Sequence, residues 1–170
     1  MGIKRMRVFA GPNGSGKTTI IKSLQDIIPF GVYINADDIE LQLKESKILL
    51  FNSFQLNITQ EQLRDFFKKS TFSPIKRNEP NLWSKIVVEK NILKINAEVD
   101  SYLAADIAEF IRQQLLTSQI SFSYETVMSH PNKIDFLKFA RSQGFKVYLY
   151  FITTEDPEIN ISRVNVRVAQ

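Results

Sequence analysis

The sequence predicts an α/β fold, a mainly parallel sheet flanked by helices. Three observations carry that expectation. Short apolar and β-branched runs alternate with longer segments whose apolar residues recur at helical spacing, the pattern of strand–helix–strand units. The first run, Arg5 to Ala10, opens into a glycine-rich stretch and then a helical segment. The second and third strand candidates lead into acidic residues, Asp37-Asp38 and Glu125, as suits strand ends that face a ligand.

Taken in order, Arg5 to Ala10 reads as a strand and Thr18 to Ile28 as a helix with Ile20, Ile21, Leu24, Ile27 and Ile28 on one side. Pro29 and Gly31 end it. Val32 to Ile34 is a second strand, and a helix is expected over about Asp38 to Lys47. Thr59-Gln60-Glu61-Gln62 is a capping box ahead of Leu63, Phe66 and Phe67. Ser70 to Asn81 carries prolines and turn residues and reads as a loop. Ile86-Val87-Val88 and Ile92 to Ile95, parted by Glu89-Lys90-Asn91, suit a hairpin. The whole of 1–170 is expected to be a single domain, with about 48–98 inserted in it. Leu103, Ile107, Phe110, Ile111 and Leu115 follow helical spacing. Ser121 to Tyr124 is a strand leading into Glu125. A helix is expected from Pro131, carrying Ile134, Leu137 and Ala140, with Gly144 as its cap. Lys146 to Ile152, β-branched and aromatic, is expected to be a buried strand, and Asp156-Pro157 opens a last helix.

Gly11-Pro12-Asn13-Gly14-Ser15-Gly16-Lys17-Thr18 fits G-x-x-x-x-G-K-[ST], with Thr19 following. Glycines let a backbone wrap an anion with its N–H groups inward, the lysine reaches β- and γ-phosphates, and the Thr18 hydroxyl suits Mg²⁺. The helix N-terminus adds its positive dipole end. A strand before and a helix after are the context this needs. The expectation is the P-loop nucleoside triphosphate hydrolase/kinase fold, with ATP and Mg²⁺ as cofactors. The motif alone separates neither kinase from ATPase nor from GTPase, although no Asn/Thr-Lys-x-Asp signal for guanine is present.

Asp37, just past the second strand, suits a base that accepts a proton from an acceptor hydroxyl; the plainer reading is that it or Asp38 caps the next helix. Glu125 suits a substrate hydroxyl or Mg²⁺, or is a surface glutamate. Glu109 lies on a helix and reads as a substrate residue or a solvated position. Arg163 and Arg167, four apart, share a helix face and suit a clamp on a transferring phosphoryl group, or a solvated basic face. His130, the single histidine, reads as a turn residue.

Composition narrows the class further. Apolar residues make up 44% and charged residues 24%, ordinary for a globular chain. No apolar run approaches the ~20 residues of a membrane span, and no signal peptide is read. With no cysteine there is neither a disulfide nor a thiolate metal site, which suits a cytoplasmic protein. The net charge is +4. Its basic groups, Lys4/Arg5/Arg7, Lys68/Lys69 and Lys76/Arg77, read as solvated surface, and a nucleic-acid partner is not expected.

Taken together, Val8 to Thr19, Tyr33 to Ile39, Phe122 to Pro131 and Gly144 to Gln170 resemble the zeta-toxin family of P-loop kinases. The resemblance implies ATP-dependent phosphorylation of a hydroxyl on a UDP-N-acetylamino sugar such as UDP-N-acetylglucosamine, and a possible antitoxin partner. It makes Asp37 the base, Lys17 and Thr18 the ATP and Mg²⁺ residues, Glu109 and Glu125 substrate residues, and Arg163 and Arg167 lid arginines. Where the better-known toxins carry Thr and Arg two and four residues after the glutamate, this chain has Val127 and Ser129, which puts the acceptor in question. Relatives continue with a Gly-Gly-His stretch and another helix where this chain stops at Gln170. The expectation is a shortened domain with weakened activity, or a nucleotide-binding module that acts through a protein partner.

Overall fold

A computed structural model describes residues 2–70, 78–128 and 132–168. In chain order the elements are β1 (Arg5–Ala10), α1 (Lys17–Gln25), β2 (Val32–Ile34), α2 (Ala36–Ser46), β3 (Ile48–Leu50), α3 (Gln60–Lys69), β4 (Ile86–Glu89), β5 (Ile92–Ile95), α4 (Ser101–Thr117), β6 (Phe122–Thr126), α5 (Asn132–Ser142), β7 (Lys146–Phe151) and α6 (Pro157–Val168). The chain divides into two compact units, Met1–Tyr33 with Gln119–Gln170, and Ile34–Ser118.

In the first unit the strand order is β2-β6-β1-β7, with β1 parallel to both neighbours. This is the α/β architecture the alternating pattern predicts. On one face of β1, Phe9 stacks between Phe30 and Tyr150, at centroid distances of 5.1 and 4.9 Å, and packs with Ile21 and Ile152. Met6, Val8 and Ala10 on the other face are fully buried. α5 lies beside β7 and sets Phe136 edge-on to Tyr124. It closes as the sequence predicts. Gly144 takes φ 86°, and the N–H groups of Gly144 and Phe145 donate to Arg141 and Ala140.

Several expectations are corrected. α1 stops at Gln25, because the N–H groups of Ile27 and Ile28 both turn onto the Leu24 carbonyl, leaving Ile27 exposed. β6 runs on to Thr126, so Glu125 lies inside the strand. β7 is not buried: Leu149 is 50% and Phe151 64% exposed. It sits at the end of the strand order, and among the described residues no strand covers its outer edge. Arg7 is no solvated residue either, being 5% exposed on the central strand. His130, Pro131, Lys76 and Arg77 lie outside the described residues.

In the second unit the predicted hairpin forms through Lys90 and Asn91, both at positive φ, as a two-residue turn requires. β3 adds an unpredicted third strand, in the order β3-β5-β4. The Thr59/Gln62 capping box is present in both directions. Phe51, Phe66 and Phe67 gather round Phe110 of α4, and Trp83 stacks on Phe67. The helix expected from Asp38 begins at Ala36. Its cap is Asn35, whose side-chain oxygen accepts from the Asp37 N–H at 2.9 Å, so neither aspartate serves as cap.

Candidate functional site

The glycine-rich loop leaves the carboxyl end of β1 with its conformation dictated by close backbone packing. A Cβ on Gly11 would lie 1.9 Å from the Ile152 carbonyl oxygen, and one on Gly14 2.5 Å from that of Asn160. Only glycine fits at either position. Gly16, at φ 87°, has open space around it and is the N-cap of α1. The Gly11 N–H donates to the Thr126 carbonyl (3.2 Å), which ties the loop to the end of β6, and the Ser15 N–H donates to Pro12 (3.3 Å). Lys17 Nζ donates to the carbonyls of Gly11 and Pro12, each at 2.9 Å, so the ammonium closes the loop on itself. Thr18 and Thr19 are exposed in the first turn of α1, and the N–H groups of Thr19 and Ile20 both donate to the Gly16 carbonyl, at 3.1 and 3.2 Å. Ser15 is buried, and its Oγ has no hydrogen-bond partner among the described residues.

One predicted residue meets this loop, and a second lies on the strand tied to it. Arg163 Nη1, from α6, donates to the Gly14 carbonyl at 3.2 Å and is the nearest atom to the space beside Gly16. Glu125 stands opposite Phe9, one residue before the Thr126 that holds Gly11, and accepts a hydrogen bond from the Tyr33 hydroxyl. The sequence reading missed three others. Tyr33 orients Glu125. Lys133 donates to Thr126 Oγ1 at 2.6 Å, bringing a cation to the same strand end. Asn160 is buried, accepts from Thr154 Oγ1, and lays its backbone against Gly14. A cleft of about 420 Å³ opens between loop and α6, lined by Pro12, Asn13, Thr153, Asn160, Ile161 and Val164 among others.

Asp37 and Glu109 belong to the second unit. Asp37 is exposed in the first turn of α2. Glu109 is engaged on its own helix, where Arg112 donates to Oε2 at 2.6 and 3.2 Å and Gln113 to Oε1 at 2.9 Å. The Arg167 side chain lies outside the described residues. Among the described residues no group of three or more His, Asp or Glu is placed to hold a metal ion. No helix there is long and apolar enough to cross a membrane.

This architecture recurs in solved structures. A protein from Chloroflexus aurantiacus j-10-fl with a provisional kinase assignment superposes with a TM-score of 0.56 at 12% identity, over 100% of this chain and 70% of its own. A chain from the PezAT chromosomal toxin–antitoxin system of Streptococcus pneumoniae gives 0.54 at 17% identity, over 99% of this chain and 54% of its own. One from the Pnkp1/Rnl/Hen1 RNA repair complex gives 0.51 at 13% identity, over 98% and 38%. What this chain shares with them is the fold, an α/β architecture with a parallel sheet flanked by helices. This chain spans about half of the second neighbour and well under half of the third. No family model matches the sequence, and no curated protein does.

Proposed function

We propose that this chain is a kinase that transfers the γ-phosphoryl group of ATP to a hydroxyl of a small molecule, with a UDP-N-acetylamino sugar as the acceptor class. The observation that carries the reading is the contact of Arg163 with Gly14, which sets a guanidinium beside a glycine loop at a helix N-terminus. The loop fits the phosphates of a nucleotide. Its positive-φ glycines leave the backbone bare, and α1 starts directly from Gly16, bringing the positive end of its dipole to the loop. The buried Ser15 hydroxyl offers a further donor inside the loop. Lys17 would exchange its two carbonyl partners for phosphate oxygens. Thr18 would hold Mg²⁺ with a single protein oxygen, which suits an ion that keeps most of its waters. The apolar walls of the cleft, Pro12, Ile161 and Val164, would take the base.

In this reading the acceptor hydroxyl gives its proton to the Asp37 carboxylate as its oxygen bonds to phosphorus, and the bond from phosphorus to ADP breaks. Arg163 and Arg167 offset charge on the phosphoryl oxygens in flight. Glu125, held by Tyr33, hydrogen-bonds a substrate hydroxyl; Glu109 has the same role once released from Arg112. A second reading, a nucleotide-binding module that works through a protein partner, draws support from that Glu109 pairing, which ties up a substrate residue.

Phosphorus NMR of the chain with ATP, Mg²⁺ and UDP-N-acetylglucosamine tests the proposal, run beside Asp37→Asn. The expected result is a new phosphomonoester signal that forms about 10²–10⁴ times more slowly in the variant. An unchanged rate in Asp37→Asn removes that residue as base. ATP loss without a new ester points to a hydrolase, and ATP binding without turnover to the partner-binding module.

A further inference from the structure

The start of β1, at the opposite end of the strand from the glycine-rich loop, carries a second charged feature. In the parallel pairing Arg5 stands opposite Lys146 and Arg7 opposite Tyr148. Residues two apart on a strand share a face, so these four side chains form one two-by-two patch. Phe9 and Tyr150 continue that face toward the loop. The Arg7 guanidinium lies 5.2 Å from the centroid of the Tyr148 ring, and the Lys146 ammonium 5.5 Å from the same ring. Among the described residues no carboxylate pairs with Arg5, Arg7 or Lys146. Arg7 is buried, and its Nε has no hydrogen-bond partner there.

That arrangement is costly as it stands. Like charges directly opposite one another weaken a strand pair. The buried Arg7 Nε loses its hydration without a hydrogen bond in return, although its guanidinium lies over the Tyr148 ring. Arg5 Nη1 donates to the Ile3 carbonyl at 3.3 Å and the Tyr148 oxygen is a further acceptor, but the donors of the patch outnumber its acceptors. Burial pushes the Tyr148 phenol up, but hydrogen bonding and charge from Lys146 and Arg5 outweigh it and hold the group below its ordinary value, as a field of unneutralised cations does.

We propose that the Arg5/Arg7/Lys146/Tyr148 patch is a second anion site, which takes a phosphate group. Guanidinium forks match phosphate oxygens in pairs, the ammonium adds a point charge, and the phenol adds a hydroxyl donor. From Arg5 to Ala10 the strand spans roughly 16 Å, so the site is separate from the glycine loop. Its ligand is inorganic phosphate or the phosphate of a small phosphorylated metabolite.

The test is thermal melting of the full chain as sodium phosphate replaces sodium chloride at constant ionic strength. Lys17→Ala serves as background to weaken the loop site. A saturable rise in melting temperature is expected in that background. In Arg5→Gln/Lys146→Gln the apparent phosphate Kd should rise at least tenfold, while Arg5→Lys/Lys146→Arg keeps the response and so controls for folding. A stronger response to ribose 5-phosphate than to phosphate identifies a metabolite as the source, and an equal one free phosphate; either supports the site. No saturable response, or one untouched in the glutamine variant, overturns the proposal.

Discussion

Replacing Gly14 with alanine probes the packing that brings Arg163 to the loop. Gly14 sits at φ 78°, where an L-residue costs about 1–2 kcal/mol. Its Cβ would stand 2.5 Å from the Asn160 carbonyl oxygen and 3.1 Å from the Asn160 Cα, both backbone atoms. An ordinary carbon–oxygen contact is near ~3.4 Å, so loop or α6 must yield about 1 Å. Overpacking of that kind costs about 1–3 kcal/mol more. Gly16 is the control. At φ 87° it bears the same conformational cost, yet the nearest atom to its Cβ position is Arg163 Nη1 at 3.9 Å. At about 2–4 °C per kcal/mol for a chain of this size, Gly14→Ala should melt about 2–12 °C below Gly16→Ala. Calorimetry or circular dichroism on both variants reads the difference. Equal melting temperatures, or a lower one for Gly16→Ala, would refute the claim that α6 rests on the loop at Gly14.

Two further expectations concern the rest of the fold. Asn35→Ala removes the cap of α2 and should destabilise the chain by about 1 kcal/mol in urea unfolding, whereas Asp38→Ala, not a cap, should cost less. Tyr148 should ionise below the ordinary tyrosine range in an absorbance titration, and that step should vanish in Tyr148→Phe. Because folding depresses this phenol, its contribution to stability is fully present above the unfolded tyrosine pKa and is lost as pH falls through the folded value. If Tyr148→Phe removes no early step, the cations do not converge on this ring.

What the sequence made legible follows from how local each determinant is. β1, the glycine loop, the capping box and the Gly144 cap were readable because each is set by residues within a few positions of one another. Ile48-Leu49-Leu50 was not, since a short apolar run has no period to separate strand from helix, and only its pairing with β5 defines it. Glu125 and Arg163 were readable as candidates from strand end and helix face. Tyr33 and Asn160 were not, because their significance arises from contacts with Glu125 and Gly14, remote in sequence. The misreading of β7 has the same origin. A β-branched and aromatic run says that a strand forms but not how many neighbours it has, and exposure of Leu149 and Phe151 depends on that number.

Arg7 shows the converse. In sequence, Lys4, Arg5 and Arg7 form a short basic group of the sort that usually faces water. Strand alternation places Arg5 and Arg7 on the face that carries Phe9, and the β1–β7 register then sets Lys146 and Tyr148 beside them. Neither strand alone contains a site. The period of two and the parallel register together turn scattered surface charges into one patch with a buried member, and a buried guanidinium nitrogen without an acceptor calls for an anion more strongly than any count of basic residues does.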